Sequence, residues 1–135
     1  MKNTGIWIDK EKAYLMIIEA NEETFLKIES HLENYNVYGG SGSKTKWGPQ
    51  DVVQDRKYLE REKQQLKNYF KEIVLHLKDA DSIVIFGPAE TYLKFHKEIK
   101  NEHRLIASKI KDVKNVDSMT LNQVKALIRD YFLKI

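Results

Sequence analysis

Hydrophobic positions in the first quarter of the chain predict three β-strands. The apolar run GIWID (residues 5–9) is followed by AYLMIIEA (13–20), which has enough large apolar residues for a strand buried on both faces. TFLKIESHL (24–32) carries Phe25, Leu26 and Ile28 among polar neighbours, and polar residues at 10–12 and 21–23 separate the runs. Three strands joined by short polar turns predict an antiparallel meander.

The remainder predicts helices alternating with strands. A stripe at residues 59, 66, 70, 73 and 77 indicates a long helix, whose charged first half should project beyond the core. SIVIFGP (82–88) is typical of a central strand. Residues 89–103 predict a helix with Leu93 and His96 on its inner side, and residues 104–117 should contain the last strand. Thr120 and Gln123 form a capping-box pattern before a final helix at 121–133.

This order, βββ-loop-αβαβα, predicts a single α/β domain over residues 1–135 with a mixed five-stranded sheet and helices on its faces. It is the element order of the ribonuclease H-like group. A ribonuclease H-like nuclease needs carboxylates that converge on two divalent metals. Asp9 is one candidate ligand and Asp55 or Glu62 another, but no acid follows the strand ending at Phe86-Gly87-Pro88. Asp9 is better explained as the start of a polar turn, and the nuclease is rejected.

Composition and charge indicate where the protein acts and what kind of partner it binds. The 135 residues include no Cys, and no apolar run approaches membrane-spanning length, which together favour a cytoplasmic protein. The formal net charge is only +3, but the charge is unevenly distributed. Residues 1–34 have four basic and seven acidic side chains, whereas residues 44–71 have eight and four and residues 94–114 seven and three. Such polarity favours a polyanionic partner, although a solvated lysine-rich surface would show it too.

The segment VYGGSGSKTKWGPQ (37–50) differs from the rest by its glycines and basic residues. It lacks a P-loop pattern, because Ser43 replaces the glycine before Lys44-Thr45 and further residues separate it from the helix. The four histidines show no metal-ligand spacing. We therefore predict no nucleotide, metal or other cofactor, and the segment remains either a flexible linker or a mobile loop that contacts a partner.

Several motifs in the same order resemble one protein family. They are the hairpin GIWIDKEKAYLMII, Gly39-Gly40 after the third strand, the basic helix RKYLEREKQQLKNYFKEI, then DSIVIFGPAETYLKFHKEI and VDSMTLNQVKALIRDYF. Together they resemble the middle domain of archaeal and eukaryotic class-I peptide-chain release factors and their Pelota relatives, in a single-domain bacterial form. The resemblance covers nearly the whole chain and implies a ribosome-associated factor.

The resemblance also bears on catalysis. In the release factors this loop carries Gly-Gly-Gln, and the Gln positions water on the peptidyl-tRNA ester. Here Ser41 follows Gly39 and Gly40, and Gln50 lies well downstream. Pelota-type domains also lack the tripeptide, so the resemblance implies a factor without ester hydrolysis whose loop tip is formed by Gly39, Gly40, Ser41 and Gly42.

The residues around the loop are compatible with contact to ribosomal or transfer RNA. Lysines and arginines would neutralise phosphates, while Trp47 would either stack on an unpaired base or cover the sheet edge. The candidate RNA-binding residues are Lys44, Lys46, Trp47, Arg56, Lys57 and Arg61. For any single basic residue a solvated position is the simpler interpretation, and the cluster carries the hypothesis.

Two alternatives remain open. The chain would be a protein-interaction or homo-oligomeric module if it exposed an apolar patch including Trp7, Val37, Tyr38 and Trp47. It would be a residual peptidyl-tRNA or ester hydrolase if Ser41 in the loop acted as a nucleophile.

Overall fold

The computed structural model describes residues 1–32 and 49–133, with side chains at 1–32 and 59–133. Three strands open the chain, namely β1 (Lys2–Ile8), β2 (Lys12–Glu19) and β3 (Glu22–Glu29). They are followed by the long helix α1 (Pro49–Leu75), β4 (Ser82–Gly87), α2 (Thr91–Glu102), the short helix α3 (Arg104–Ala107), β5 (Ile110–Asn115) and α4 (Leu121–Leu133).

The five strands form one mixed sheet in the order β3-β2-β1-β4-β5. β1, β2 and β3 are antiparallel neighbours, whereas β4 pairs parallel with β1 and β5 pairs parallel with β4. The predicted fold class, a meander followed by αβ units in a mixed five-stranded sheet, is confirmed. Because β1 and β4 lie in the centre, their residues are buried on both faces of the sheet.

Helices cover the two faces unequally. One face packs against α1, α2 and α3, where Ile6 and Ile85 meet Ile73, Phe95 and other buried apolar side chains. The opposite face packs against α4 in a second cluster: Trp7, Met16, Val84, Phe86, Val124 and Ile128. The first face therefore carries two long helices side by side, and their outer surfaces are available for other contacts.

Two local interpretations of the sequence are confirmed by hydrogen bonds. Gln123 N donates to Thr120 Oγ1 at 3.3 Å and Thr120 N donates to Gln123 Oε1 at 2.9 Å, which completes the capping box of α4. Asp9 Oδ1 accepts from the backbone N–H groups of Glu11 and Lys12, both at 2.8 Å. Asp9 thus closes the β1–β2 turn, as expected for an Asp after a strand.

Residues 104–117 contain the last strand, as predicted, at Ile110–Asn115, and the short helix α3, which was not predicted, precedes it. Two expectations about α2 are corrected. Leu93 is half-exposed rather than on the inner side of α2, because the buried stripe of that helix runs through Thr91, Tyr92, Phe95 and Ile99. His96 is partly buried, and burial together with nearby Lys100 lowers its pKa.

The hypothesis of an exposed apolar patch for protein interaction is wrong about Trp7. It is only 1% exposed, because β1 is the central strand and α4 covers that face. Its ring stacks on Tyr14 of β2 with centroids 5.7 Å apart. Val37, Tyr38 and Trp47 lie outside the described residues, so the patch loses the one member that the structure describes.

Among the described residues, no helix is both long enough and apolar enough to cross a membrane.

Candidate nucleic-acid interface

The long helix α1 is fixed to the sheet by its second half. Ile73 in its last turn is fully buried in the core, and so is Leu77, which follows the end of the helix. Leu59, the first residue of α1 whose side chain is described, is 55% exposed. Two polar contacts attach the middle of α1 to the β1–β2 turn. Lys10 Nζ lies 3.0 Å from a Glu62 carboxylate oxygen, and the Tyr69 hydroxyl donates to the carbonyl oxygen of Asp9 at 3.1 Å. The second half of α1 is therefore held against the core and the turn, and the projection of its charged first half beyond the core stays a prediction.

The Tyr69 contact is a single hydrogen bond in a buried setting. Burial, with smaller contributions from Asp9 and Glu72, raises the pKa of the Tyr69 phenol well above its usual range, so the hydroxyl stays protonated as a donor. We expect Tyr69→Phe to lower the free energy of unfolding by about 1 kcal/mol, the usual net value of one hydrogen bond. Urea unfolding followed by circular dichroism would measure this loss.

Tyr92→Phe provides a matched control, since Tyr92 is also a buried tyrosine but its hydroxyl makes no hydrogen bond within the described part of the chain. An equal loss in both variants would show that the Tyr69 contact does not hold α1 to the turn.

The predicted interface residues fall into three groups. Gly39, Gly40, Ser41, Gly42, Lys44, Lys46 and Trp47 lie outside the described residues. Arg56 and Lys57 belong to α1 by their backbone, and their side chains are not described. Arg61 is exposed on α1 and takes part in an interaction there. Their role in binding therefore stays a prediction.

An open groove of about 450 Å³ runs between α1 and α2. Its floor contains Leu66 and the nearly buried Phe70, and its polar members include Gln64 and Asn101. Phe70 packs against Phe95 of α2, with ring centroids 5.3 Å apart, so an aromatic contact below the floor holds the two helices together.

Four exposed lysines line this groove, Lys63 and Lys67 from α1 and Lys94 and Lys97 from α2. Two carboxylates, Glu60 and Glu98, line it as well. The sequence identified both basic segments, 44–71 and 94–114, without indicating that they meet. The sheet order explains why they meet, because the crossovers from β3 to β4 and from β4 to β5 run in the same direction across the sheet, and right-handed connections then place α1 and α2 on one face.

Two of the three carboxylates considered as ligands of a ribonuclease H-like nuclease have structural roles. Asp9 is held in the β1–β2 turn and Glu62 pairs with Lys10. Throughout the described residues, no three His, Asp or Glu side chains are grouped so that they could hold a metal ion. The side chain of Asp55 is not among those described.

A sequence comparison identifies a homologous protein. The chain is 31% identical over 106 residues to the Pelota homolog of Nitrosopumilus maritimus, an alignment that covers 77% of this chain and 28% of that protein. No protein-family model matches the sequence.

Solved structures share the fold. Pelota from Thermoplasma acidophilum superposes with a TM-score of 0.55 and 18% identity over 96% of this chain. An archaeal translation termination factor superposes with a TM-score of 0.58 and 11% identity over 93% of this chain. Each alignment covers 32% of the other chain, so this chain spans about a third of the proteins that it matches.

Proposed function

Because this chain is a Pelota/release-factor-like domain, we propose that it acts in translation as a ribosome-associated cytoplasmic factor without ester hydrolysis. The observation that carries this proposal is the 31% identity to a Pelota homolog over 106 residues. The fold shared with Pelota and with a translation termination factor supports it. The absence of Gln after Gly39-Gly40 separates the chain from release factors that hydrolyse peptidyl-tRNA.

The proposed docking element is the segment at residues 39–50, which the sequence predicts as a loop and whose last two residues belong to α1, together with the following turns of that helix. Lys44, Lys46, Arg56, Lys57 and Arg61 would neutralise phosphates of ribosomal or transfer RNA, and Trp47 would stack on an unpaired base. The helix is suited to present this element, since its second half is buried in the core and its middle is fixed to the β1–β2 turn. Docking of this kind is electrostatic and involves no covalent step.

Co-sedimentation with purified ribosomes across a salt series tests the proposal. We expect the chain to pellet with ribosomes at low salt and to be released as the salt rises, because phosphate contacts release counterions. Changing Lys44, Lys46, Arg56 and Arg61 together to Ala should abolish pelleting at intermediate salt. The matched control changes Lys27, Lys111, Lys114 and Lys125, an equal number of basic residues outside this element, to Ala.

Absence of wild-type binding at the lowest salt would overturn ribosome association. Equal binding by the loop variant and the control would leave ribosome association standing but overturn the role of the loop.

A further inference from the structure

We propose that the groove between α1 and α2 is a second RNA contact, which holds a single RNA strand by its phosphates. The inference rests on the proposed function for its ribosomal setting, but it assigns the contact to residues outside the loop. The groove-lining lysines, Lys63 and Lys67 on one side and Lys94 and Lys97 on the other, form the contact.

What distinguishes these four lysines is that they line one groove, because several other lysines in the described part of the chain also lack an ion pair: Lys71, Lys78, Lys100, Lys109, Lys111 and Lys125. None of the four makes an ion pair with any residue that the structure describes. Lys2, Lys10, Lys12, Lys27 and Lys114, by contrast, all have a carboxylate partner within 4.0 Å. The groove thus brings together four lysines without an ion pair among the described residues and two carboxylates, so its lining has an excess of positive charge.

Like charges lie close together in the groove, and Glu60, three residues before Lys63, and Glu98, four residues after Lys94, offset only part of their repulsion. Lys63 and Lys67 are four residues apart on one helix face, an arrangement that destabilises a helix when the charges are alike. Lys94 and Lys97, three residues apart on α2, add a second like-charged pair across the groove. A bound polyanion would relieve this repulsion, and its phosphates would face lysines on both walls.

The shape of the groove is largely preformed. The Phe70–Phe95 contact fixes the two helices below the floor, and both side chains are at most 4% exposed. Apolar surface from Leu66 and amides from Gln64 and Asn101 would contact sugars and bases without selecting a sequence. An acidic protein segment is the competing occupant, but a phosphodiester strand agrees better with a chain related to ribosome-binding factors.

Glu60 and Glu98 add a prediction with the opposite sign. Both carboxylates line the groove and would face the same phosphates as the lysines. Replacing both by Gln should therefore strengthen RNA binding, whereas replacing the lysines should weaken it.

The test measures binding of the full chain to a labelled oligouridylate of about 12 nucleotides, within the site size of known single-strand grooves, by fluorescence anisotropy over a salt series. The groove variant changes Lys63, Lys67, Lys94 and Lys97 to Gln. The control changes Lys27, Lys111, Lys114 and Lys125 to Gln, so that both variants lose four charges. Circular dichroism confirms that each remains folded, and Lys→Arg at the four groove positions should retain binding.

We expect the slope of log affinity against log salt to fall by about 3 in the groove variant, at about 0.7 for each phosphate contact with a single strand. The control should keep the wild-type slope. Equal slopes in the groove variant and the control would overturn the proposal. Competition by polyglutamate as effective as by unlabelled RNA would assign the groove to an acidic protein and would also overturn it.

The outcomes separate the groove from the proposed function. If ribosomes bind the wild-type chain but the oligonucleotide does not, the groove proposal is wrong and ribosome association stands. If the oligonucleotide binds through the groove but ribosomes do not, ribosome association is wrong and the groove stands. If neither RNA nor ribosomes bind, both are wrong.

Discussion

Gly87→Ala is expected to destabilise the domain by about 3 kcal/mol, the upper end of the usual cost of overpacking. A Cβ at Gly87 would lie 2.3 Å from the carbonyl oxygen of Ile8 and 2.8 Å from Cβ of Tyr92. The nearer atom belongs to the backbone of β1, which is paired on both sides in the centre of the sheet and has little freedom to move. Urea unfolding of the two proteins would measure the difference in stability.

Gly5→Ala is the informative comparison. A Cβ at Gly5 would lie 2.4 Å from Cγ2 of Ile128, and the next two atoms that this Cβ would meet also belong to the Ile128 side chain. Truncating Ile128 to Ala should therefore lower the cost of Gly5→Ala in a double-mutant cycle. Tyr92→Ala should not rescue Gly87→Ala to the same extent, since the Ile8 oxygen remains. A Gly87→Ala protein as stable as wild type would contradict the close approach of β4, β1 and α2.

Phe95→Ala is expected to lower the free energy of unfolding by about 3–5 kcal/mol, as for other large buried aromatics. Phe95 is fully buried and packs against Phe70, so the truncation leaves a cavity between α1, α2 and the sheet. Chemical denaturation followed by far-UV circular dichroism would measure the loss. Because the same contact lies under the lysine groove, this variant should also bind RNA more weakly where it remains folded.

Leu93→Ala is the matched control on the same helix. Leu93 is 50% exposed, and a surface truncation of this kind usually changes stability by no more than about 0.5 kcal/mol. Comparable losses at positions 93 and 95 would mean that the buried face of α2 is wrongly assigned.

Much of the fold was predictable because local patterns record which face of an element is buried. The meander, the doubly covered strand β4 and the capping box of α4 all follow from residue type and spacing. Helix α3 was not predictable in this way, because four residues are too few to show a period. The exposure of Leu93 was missed for a related reason, since adjacent apolar residues at 92 and 93 allow the stripe to be drawn through either.

The candidate interface also has properties that the sequence shows and properties that only the tertiary structure shows. The chain by itself determined that two segments are basic and that residues 39–41 lack the Gly-Gly-Gln tripeptide, because charge and identity are properties of single positions. Only the tertiary structure decided that Lys63 and Lys94 line one groove and that Trp7 is covered by α4. Such proximity depends on sheet order and on which face each helix covers, and these are set by packing between elements distant in sequence.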